Sequence, residues 1–132
     1  MTSRFILFFD GCSKGNPGRA GAGYILYCGE QVVARRALFV GMRETNNVAE
    51  YRGMIEGMRE ALKHTKTVEV RGDSQLVIRQ MTGVYKVSHY RMIELYNEAK
   101  ELEKAFERIE YVHIGREMNG EADKLSNLGL VV

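Results

Sequence analysis

A chain of 132 residues and 15.0 kDa, 45% hydrophobic and 27% charged, matches one globular domain spanning 1–132, because domains most often run to about 100–150 residues. Five Phe, seven Tyr and many aliphatic residues exclude a disordered chain, and no apolar run approaches the roughly 18 residues of a membrane span. A formal net charge of +2 with a pI near 8.6 permits an anionic partner without demanding one.

The N-terminus, Met1-Thr2-Ser3-Arg4 and then five apolar residues, is too short for a signal peptide. Cys12 and Cys28 offer no disulfide framework, so a reducing, cytoplasmic setting is expected. Phe5-Ile6-Leu7-Phe8-Phe9 is apolar at every position, which predicts a strand buried on both faces. Asp10 closes it. The run from Gly11 to Gly18, with the sole proline Pro17, predicts a loop. Ala22–Cys28 and Gln31–Val40, joined by Gly29-Glu30, read as an antiparallel hairpin.

From Thr45 to about Leu62 the apolar residues Val48, Tyr51, Ile55, Met58 and Leu62 mark one helix face. Gly53 and Gly57 weaken that helix and suit close packing on a sheet. Val68–Arg71 reads as a strand ending at Gly72-Asp73, and Gln75–Met81 as a short helix. A longer helix is expected from about Arg91 to Glu107, with Leu95, Ala99, Leu102 and Phe106 inward. Its residues Glu94, Glu98, Lys100, Glu101, Glu103 and Lys104 read as a solvated face. Ile109–Ile114 is a last strand and Asn119 to about Asn127 a last short helix. The order β-β-β-α-β-α-α-β-α predicts a mixed sheet with helices, an α/β or α+β domain.

The chemistry lies in acids at the ends of these elements. Asp10 and Asp73 each follow a strand, where ligands bind in open α/β sheets. Glu50 and Asp123 each fall near the start of a helix. If the two strands are parallel neighbours, both of their carboxylates emerge at one edge, to which the two helix starts could add two more. Carboxylates so gathered raise one another's pKa unless a cation compensates. Hard oxygen ligands select Mg²⁺ or Mn²⁺, and no Cys/His spacing suggests zinc. Two such ions, roughly 4 Å apart, can activate a water and stabilise the leaving oxygen in phosphodiester hydrolysis. Each acid also has a plainer reading. Asn47-Val48-Ala49-Glu50 matches a capping box, Asp73-Ser74 an N-cap, and Asp123 a complement to a helix dipole. Asp10, a charge directly after five core residues, is costly unless paired. Spacing leaves both readings open.

The residues around each acid resemble type 1 ribonuclease H. Asp10-Gly11-Cys12-Ser13-Lys14-Gly15-Asn16-Pro17-Gly18 is similar to that family's first-strand motif, and Thr45-Asn46-Asn47-Val48-Ala49-Glu50 to its Thr-Asn-Asn-x-x-Glu helix start. Gly72-Asp73-Ser74-Gln75 resembles its Asp-Ser-Gln turn, and Asn119-Gly120-Glu121-Ala122-Asp123 its Asn-x-x-Ala-Asp ending. The resemblance spans nearly the whole chain. It implies an α/β ribonuclease H-like fold, with a five-stranded mixed sheet ordered 3-2-1-4-5 and flanked by helices. It implies endonucleolytic hydrolysis of the RNA strand of RNA–DNA hybrids by two Mg²⁺ ions, with Mn²⁺ as a substitute. Asp10, Glu50, Asp73 and Asp123 would be the ligands. Gly11, Cys12, Ser13, Lys14, Gly15, Asn16, Asn46, Asn47 and Gln75 would contact the hybrid's wide, shallow minor groove, where 2′-hydroxyls distinguish RNA from DNA. Helix capping by Asn46 and Asn47 is compatible with that role. The glycine-rich run is not a phosphate P-loop, since no Gly-Lys-Ser/Thr follows it.

Two departures stand out. Many family members carry a long basic segment after the fourth-strand helix, whereas Thr82–Tyr90 is short and holds one lysine. The form is therefore compact, with a shallower salt dependence of binding. His113, ten residues before Asp123, occupies the place of a mobile histidine but lies in a predicted strand. Arg116 fits the Arg-Glu-x-Asn-x-x-Ala-Asp pattern of a compact subgroup, so Arg116 is expected to reach the scissile phosphate. Cys12 lacks an oriented base and reads as packing, not a nucleophile. His64 and His89 carry no assignment. The expected partner is an RNA–DNA hybrid and the expected state a monomer without membrane contact. A catalytically weak or inactive hybrid-binding module is the alternative.

Overall fold

A computed structural model describes residues 4–132; Met1–Ser3, on which the signal-peptide expectation falls, lie outside the described residues. Three long strands come first: β1 (Phe5–Lys14), β2 (Gly18–Cys28) and β3 (Gln31–Glu44). They form an antiparallel meander. The chain continues through α1 (Asn46–Leu62), β4 (Thr67–Gly72), α2 (Gln75–Met81), α3 (Tyr90–Glu103), β5 (Arg108–His113) and α4 (Gly120–Leu128). Among the described residues one five-stranded sheet runs in the order β3-β2-β1-β4-β5, with β4 parallel to β1 and β5 parallel to β4. The expected mixed sheet and its order are as observed. Among the described residues no helix is long and apolar enough to cross a membrane.

Side chains alternate across β2, and that alternation separates the helices. Ala22 lies against Gly53 of α1, while Gly21 and Gly23 meet Ser126 and Leu125 of α4. Hence α1 and α4 cover opposite faces. The main core is on the α1 side, where Leu7, Phe9, Leu26, Tyr51, Met54, Ile55 and Met58 are buried with Val70 and Val77. Burying such side chains is worth about 1.5–3 kcal/mol each.

Several expectations change. β1 does not end at Asp10. Gly11–Lys14 continue the strand, paired with Arg19–Ala22, and only residues 15–17 turn. Nor is the apolar run buried on both faces. Leu7 and Phe9 are fully buried under α1, with Phe5 half-buried at the edge of the same core, whereas Ile6 and Phe8 on the opposite face are only half-buried, where the short α4 covers part of the sheet. The long helix ends at Glu103 rather than Glu107, although Phe106 is still buried beyond it. Its charged face is not simply solvated: Glu98 binds Arg52 and Arg59 of α1, and Glu103 accepts from Tyr111 at 2.8 Å.

Candidate active site

Register places the first two acids. Phe9 pairs with Gly72 between the parallel strands β1 and β4, so Asp10 and Asp73, each the next residue, leave that pairing side by side. Beyond it β4 has ended while β1 runs on, and the open edge is where a third acid enters. Glu50 comes from α1, which meets β1 without an intervening side chain. A Cβ on Gly11 would lie 2.3 Å from the Ala49 carbonyl carbon and the Glu50 nitrogen, and one on Gly53 would lie 2.7 Å from the Asp10 carbonyl oxygen. Only glycine permits this approach, and it brings Glu50 to Asp10. One oxygen from each of Asp10, Glu50 and Asp73 lies within 4.8 Å of the others.

The capping reading of Glu50 fails. α1 is capped by Thr45, whose Oγ1 accepts from the Val48 N–H at 3.2 Å. That puts Glu50 past the first turn, out of reach of the orphan amides. Ser74, not Asp73, caps α2 through the Val77 N–H. Both acids are thus free of local duties.

Burial, followed by the charge of Asp73, pushes the Asp10 carboxyl up from 3.8 to about 7, against lowering bonds from Glu50 and the Gly11 N–H. Asp10 is only 5% exposed. Glu50 is raised well above its ordinary value by burial and then by Asp10 and Asp73. Its Oε1 is buried with no hydrogen-bond partner among the described residues. Buried acceptors are rarely left so. Three acids packed together, one with an orphaned oxygen, fit a divalent cation with hard-oxygen preferences.

Asp123 stands apart from this group. It lies in the first turn of α4, is exposed, and its carboxylate is not among the three that share the 4.8 Å cluster. Its charge nevertheless raises Asp10, as the smallest contribution. The structure therefore brings together three of the four predicted acids, with the fourth at their rim. His113 ends β5 and its Nε2 sits 3.3 Å from the Asp73 carbonyl oxygen. Arg116 is 90% exposed, with its Nε 4.0 Å from Asp73 Oδ2.

The predicted hybrid contacts divide. Lys14, Gly15, Asn16, Asn46 and Gln75 are exposed and Asn47 half-buried. Asn16 Oδ1 accepts the Asn46 N–H at 2.9 Å, tying the β1–β2 turn to the start of α1. Gly11, Cys12 and Ser13 are engaged within the protein. Gly11 packs on α1, the Cys12 thiol donates to the Ser126 carbonyl at 3.4 Å, and Ser13 Oγ donates to the Glu44 carbonyl at 2.7 Å. Their side chains serve the scaffold, and a thiol so occupied is no nucleophile. The two unassigned histidines also have partners: His64 meets Glu60 at 2.9 Å, and His89 caps α3.

Beside Asn47 opens a cleft of about 350 Å³ whose lining includes Arg43, Thr45, Ser88, His89 and Arg91. Sequence reasoning passed over it, since its residues come from β3, the start of α1 and the approach to α3. The one local signal was Arg43, two residues ahead of the Thr-Asn-Asn segment.

A family profile described as reverse transcriptase-like matches residues 8–129. The solved N-terminal RNase H domain of Rv2228c from Mycobacterium tuberculosis superposes with a TM-score of 0.93 at 39% identity, covering 98% of this chain and 94% of that one. The chain belongs to the type 1 ribonuclease H family. LC11-RNase H1, solved in complex with an RNA/DNA hybrid, superposes with a TM-score of 0.90 at 33% identity over 96% of each chain. Ribonuclease HI of Halobacterium salinarum is 38% identical over 129 residues. The chain spans 35% of the full bifunctional protein Rv2228c and 64% of the halobacterial enzyme. Consistent with the compact form, the link between α2 and α3 is only residues 82–89. It folds back by the Val84 and Tyr85 N–H groups on the Arg79 carbonyl.

Proposed function

We propose that this chain, as one ribonuclease H unit, hydrolyses the RNA strand of RNA–DNA hybrids. The observation that carries the reading is the convergence of Asp10, Glu50 and Asp73 with a buried, unpartnered Glu50 oxygen, in a chain of this family. Asp10, Glu50 and Asp73 would hold divalent cations, Mg²⁺ with Mn²⁺ as a substitute, and Asp123, outside their cluster, would be the fourth ligand. Such ions supply charge to activate a water and stabilise the leaving oxygen.

The chain's own residues do the rest. Asn16, Asn46, Asn47 and Gln75 present short polar groups beside the acids, suited to 2′-hydroxyls in a shallow groove. Lys14 and the cleft arginine Arg43 attract the phosphate backbone, whereas Arg91 of the same cleft is paired with Glu44. Arg116, exposed and loosely held at Asp73, reaches the scissile phosphate, while His113 stays at the end of β5. The free thiols of Cys12 and Cys28 fit a reducing cytoplasm, and we take the working unit to be a monomer.

The test is cleavage of labelled RNA–DNA, RNA–RNA and DNA–DNA duplexes with Mg²⁺, Mn²⁺ or EDTA. Cutting confined to the hybrid and lost in EDTA is expected. Binding without cutting would replace the enzyme by a hybrid-binding module. Arg116→Ala is expected to lower kcat roughly a hundredfold, the scale of losing one donor to developing charge. His113→Ala should stay within a few-fold, and the reverse ranking would transfer the role to His113.

A further inference from the structure

Asn119 occupies the N-cap position of α4 but does not cap it. An asparagine there normally accepts from the next amides of its own helix, which is why it is favoured. Here the side chain is turned inward and only 1% exposed. Its Nδ2 donates to the Phe9 carbonyl at 2.9 Å, on the residue immediately before Asp10. Its own carbonyl accepts the Asp123 N–H at 3.0 Å. One residue thus joins the strand end that carries the first acid to the turn that carries the fourth. The arrangement is costly, because Asn119 Oδ1 is buried without a partner among the described residues and α4 has no side-chain cap.

The rest of α4 is already fixed. Its middle lies on β2 at Gly21 and Gly23, where any side chain would collide with the Leu125–Ser126 segment. The chain after it is held by Arg19 Nε donating to the Leu130 carbonyl at 2.5 Å. The N-terminal turn, preceded by the exposed Arg116–Met118 segment, is held by the small buried side chain of Ala122, and among the described residues its one side-chain hydrogen bond to the sheet is that of the Asn119 amide.

We infer that Asn119 is a positioning residue that sets the separation of Asp123 from Asp10 and so the occupancy of the rim cation. The inference rests on the proposed function above. It is tested by a double-substitution cycle of Asn119→Ala and Asp123→Asn, read by Mn²⁺ binding in electron paramagnetic resonance titrations and by kcat and KM on a hybrid. Thermal unfolding is followed alongside. Asn119→Ala alone is expected to weaken the looser Mn²⁺ site about tenfold and to lower kcat by a similar factor, the scale of losing a residue that orients a ligand. KM should stay within about twofold. In the Asp123→Asn background Asn119→Ala should change either quantity by less than about twofold, because the two act through one unit. Asn119→Ser, which keeps a shorter donor, should recover part of the loss and replaces the alanine variant in the cycle if that one does not fold. Equal losses in both backgrounds, or a kcat that falls only with the folded fraction, would overturn the inference. If the parent chain binds Mn²⁺ but cuts no hybrid, the nuclease reading fails while the binding cycle still judges Asn119.

Discussion

Glu69 and Asp73 are four residues apart in and just after β4, and they meet opposite electrostatic fates. Glu69 lies between the guanidinium groups of Arg4 and Arg71. Glu98 is treated in the same way by Arg52 and Arg59. Asp73 instead faces Asp10 and Glu50, and the nearest guanidinium, that of Arg116, is loosely placed at 4.0 Å and 90% exposed. Where an acid serves the scaffold, this chain supplies a cation of its own. Where three acids meet at the sheet edge it supplies almost none, and the compensating charge must come from solution. That contrast, more than the presence of acids, marks the edge as functional.

The sharpest break of the contrast is Asp10→Asn. It should cut hybrid cleavage by at least about a thousandfold, or ~4 kcal/mol of barrier. It should also raise the unfolding temperature of the metal-free protein at neutral pH, because a buried, repelled charge disappears. A loss of both activity and stability would mean that Asp10 is an ordinary structural acid.

Next in size is Gly11→Ala. The added carbon would lie 2.3 Å from the α1 backbone, so the helix and Glu50 must move away from Asp10. We expect a loss of about 1–3 kcal/mol, as for other overpacked sites, measured by denaturant unfolding, with Mn²⁺ affinity falling in parallel. Wild-type affinity in a destabilised Gly11→Ala protein would show that α1 does not set the site.

A third outcome concerns pH. The Asp10 pKa is raised in the folded state, from 3.8 to about 7, so between those values the folded protein holds more protons than the unfolded chain. Its contribution to stability is therefore present below about pH 4 and is lost as pH rises through about 7. Unfolding temperatures of the metal-free protein should show this decline, and saturating Mg²⁺ should remove it. Divalent affinity should weaken as pH falls below about 7, where protons compete for the same oxygens.

The smallest effect belongs to the scaffold side. Glu69→Gln should cost no more than about 1 kcal/mol, the usual value of a pair with an exposed partner, and leave cleavage unchanged. A large loss of activity would erase the distinction between the two ends of β4.

Much of this layout was legible in the residues. The 3.6-residue spacing of Val48, Tyr51, Ile55 and Met58 located α1, and all four are buried. Gln75–Met81 was read as it stands. Asp10 and Asp73 are recognisable as acids directly after apolar runs. The misreadings share a cause. Gly11–Lys14 has the composition of a turn, yet it is strand because Arg19–Ala22 pairs with it. Asn47 to Glu50 has the spacing of a capping box, but the helix starts earlier, with Asn16 bound at Asn46 and Thr45 bound at Val48. Asn119 does open the last helix as its N-cap residue, but its amide serves a strand 110 residues away, which local spacing cannot show.

Composition and periodicity specified which residues could be apolar faces, which acids followed apolar runs, and in what order they came. They could not specify that Asp10, Glu50 and Asp73 share a few ångströms, that Asp123 stays outside that cluster, or that Glu69 has two arginines while Asp73 has only the exposed Arg116 at 4.0 Å. Those facts depend on distances between residues remote in the chain. Coulomb and hydrogen-bond energies vary steeply with such distances, and only the packing of α1 and α4 against β1 and β2 sets them.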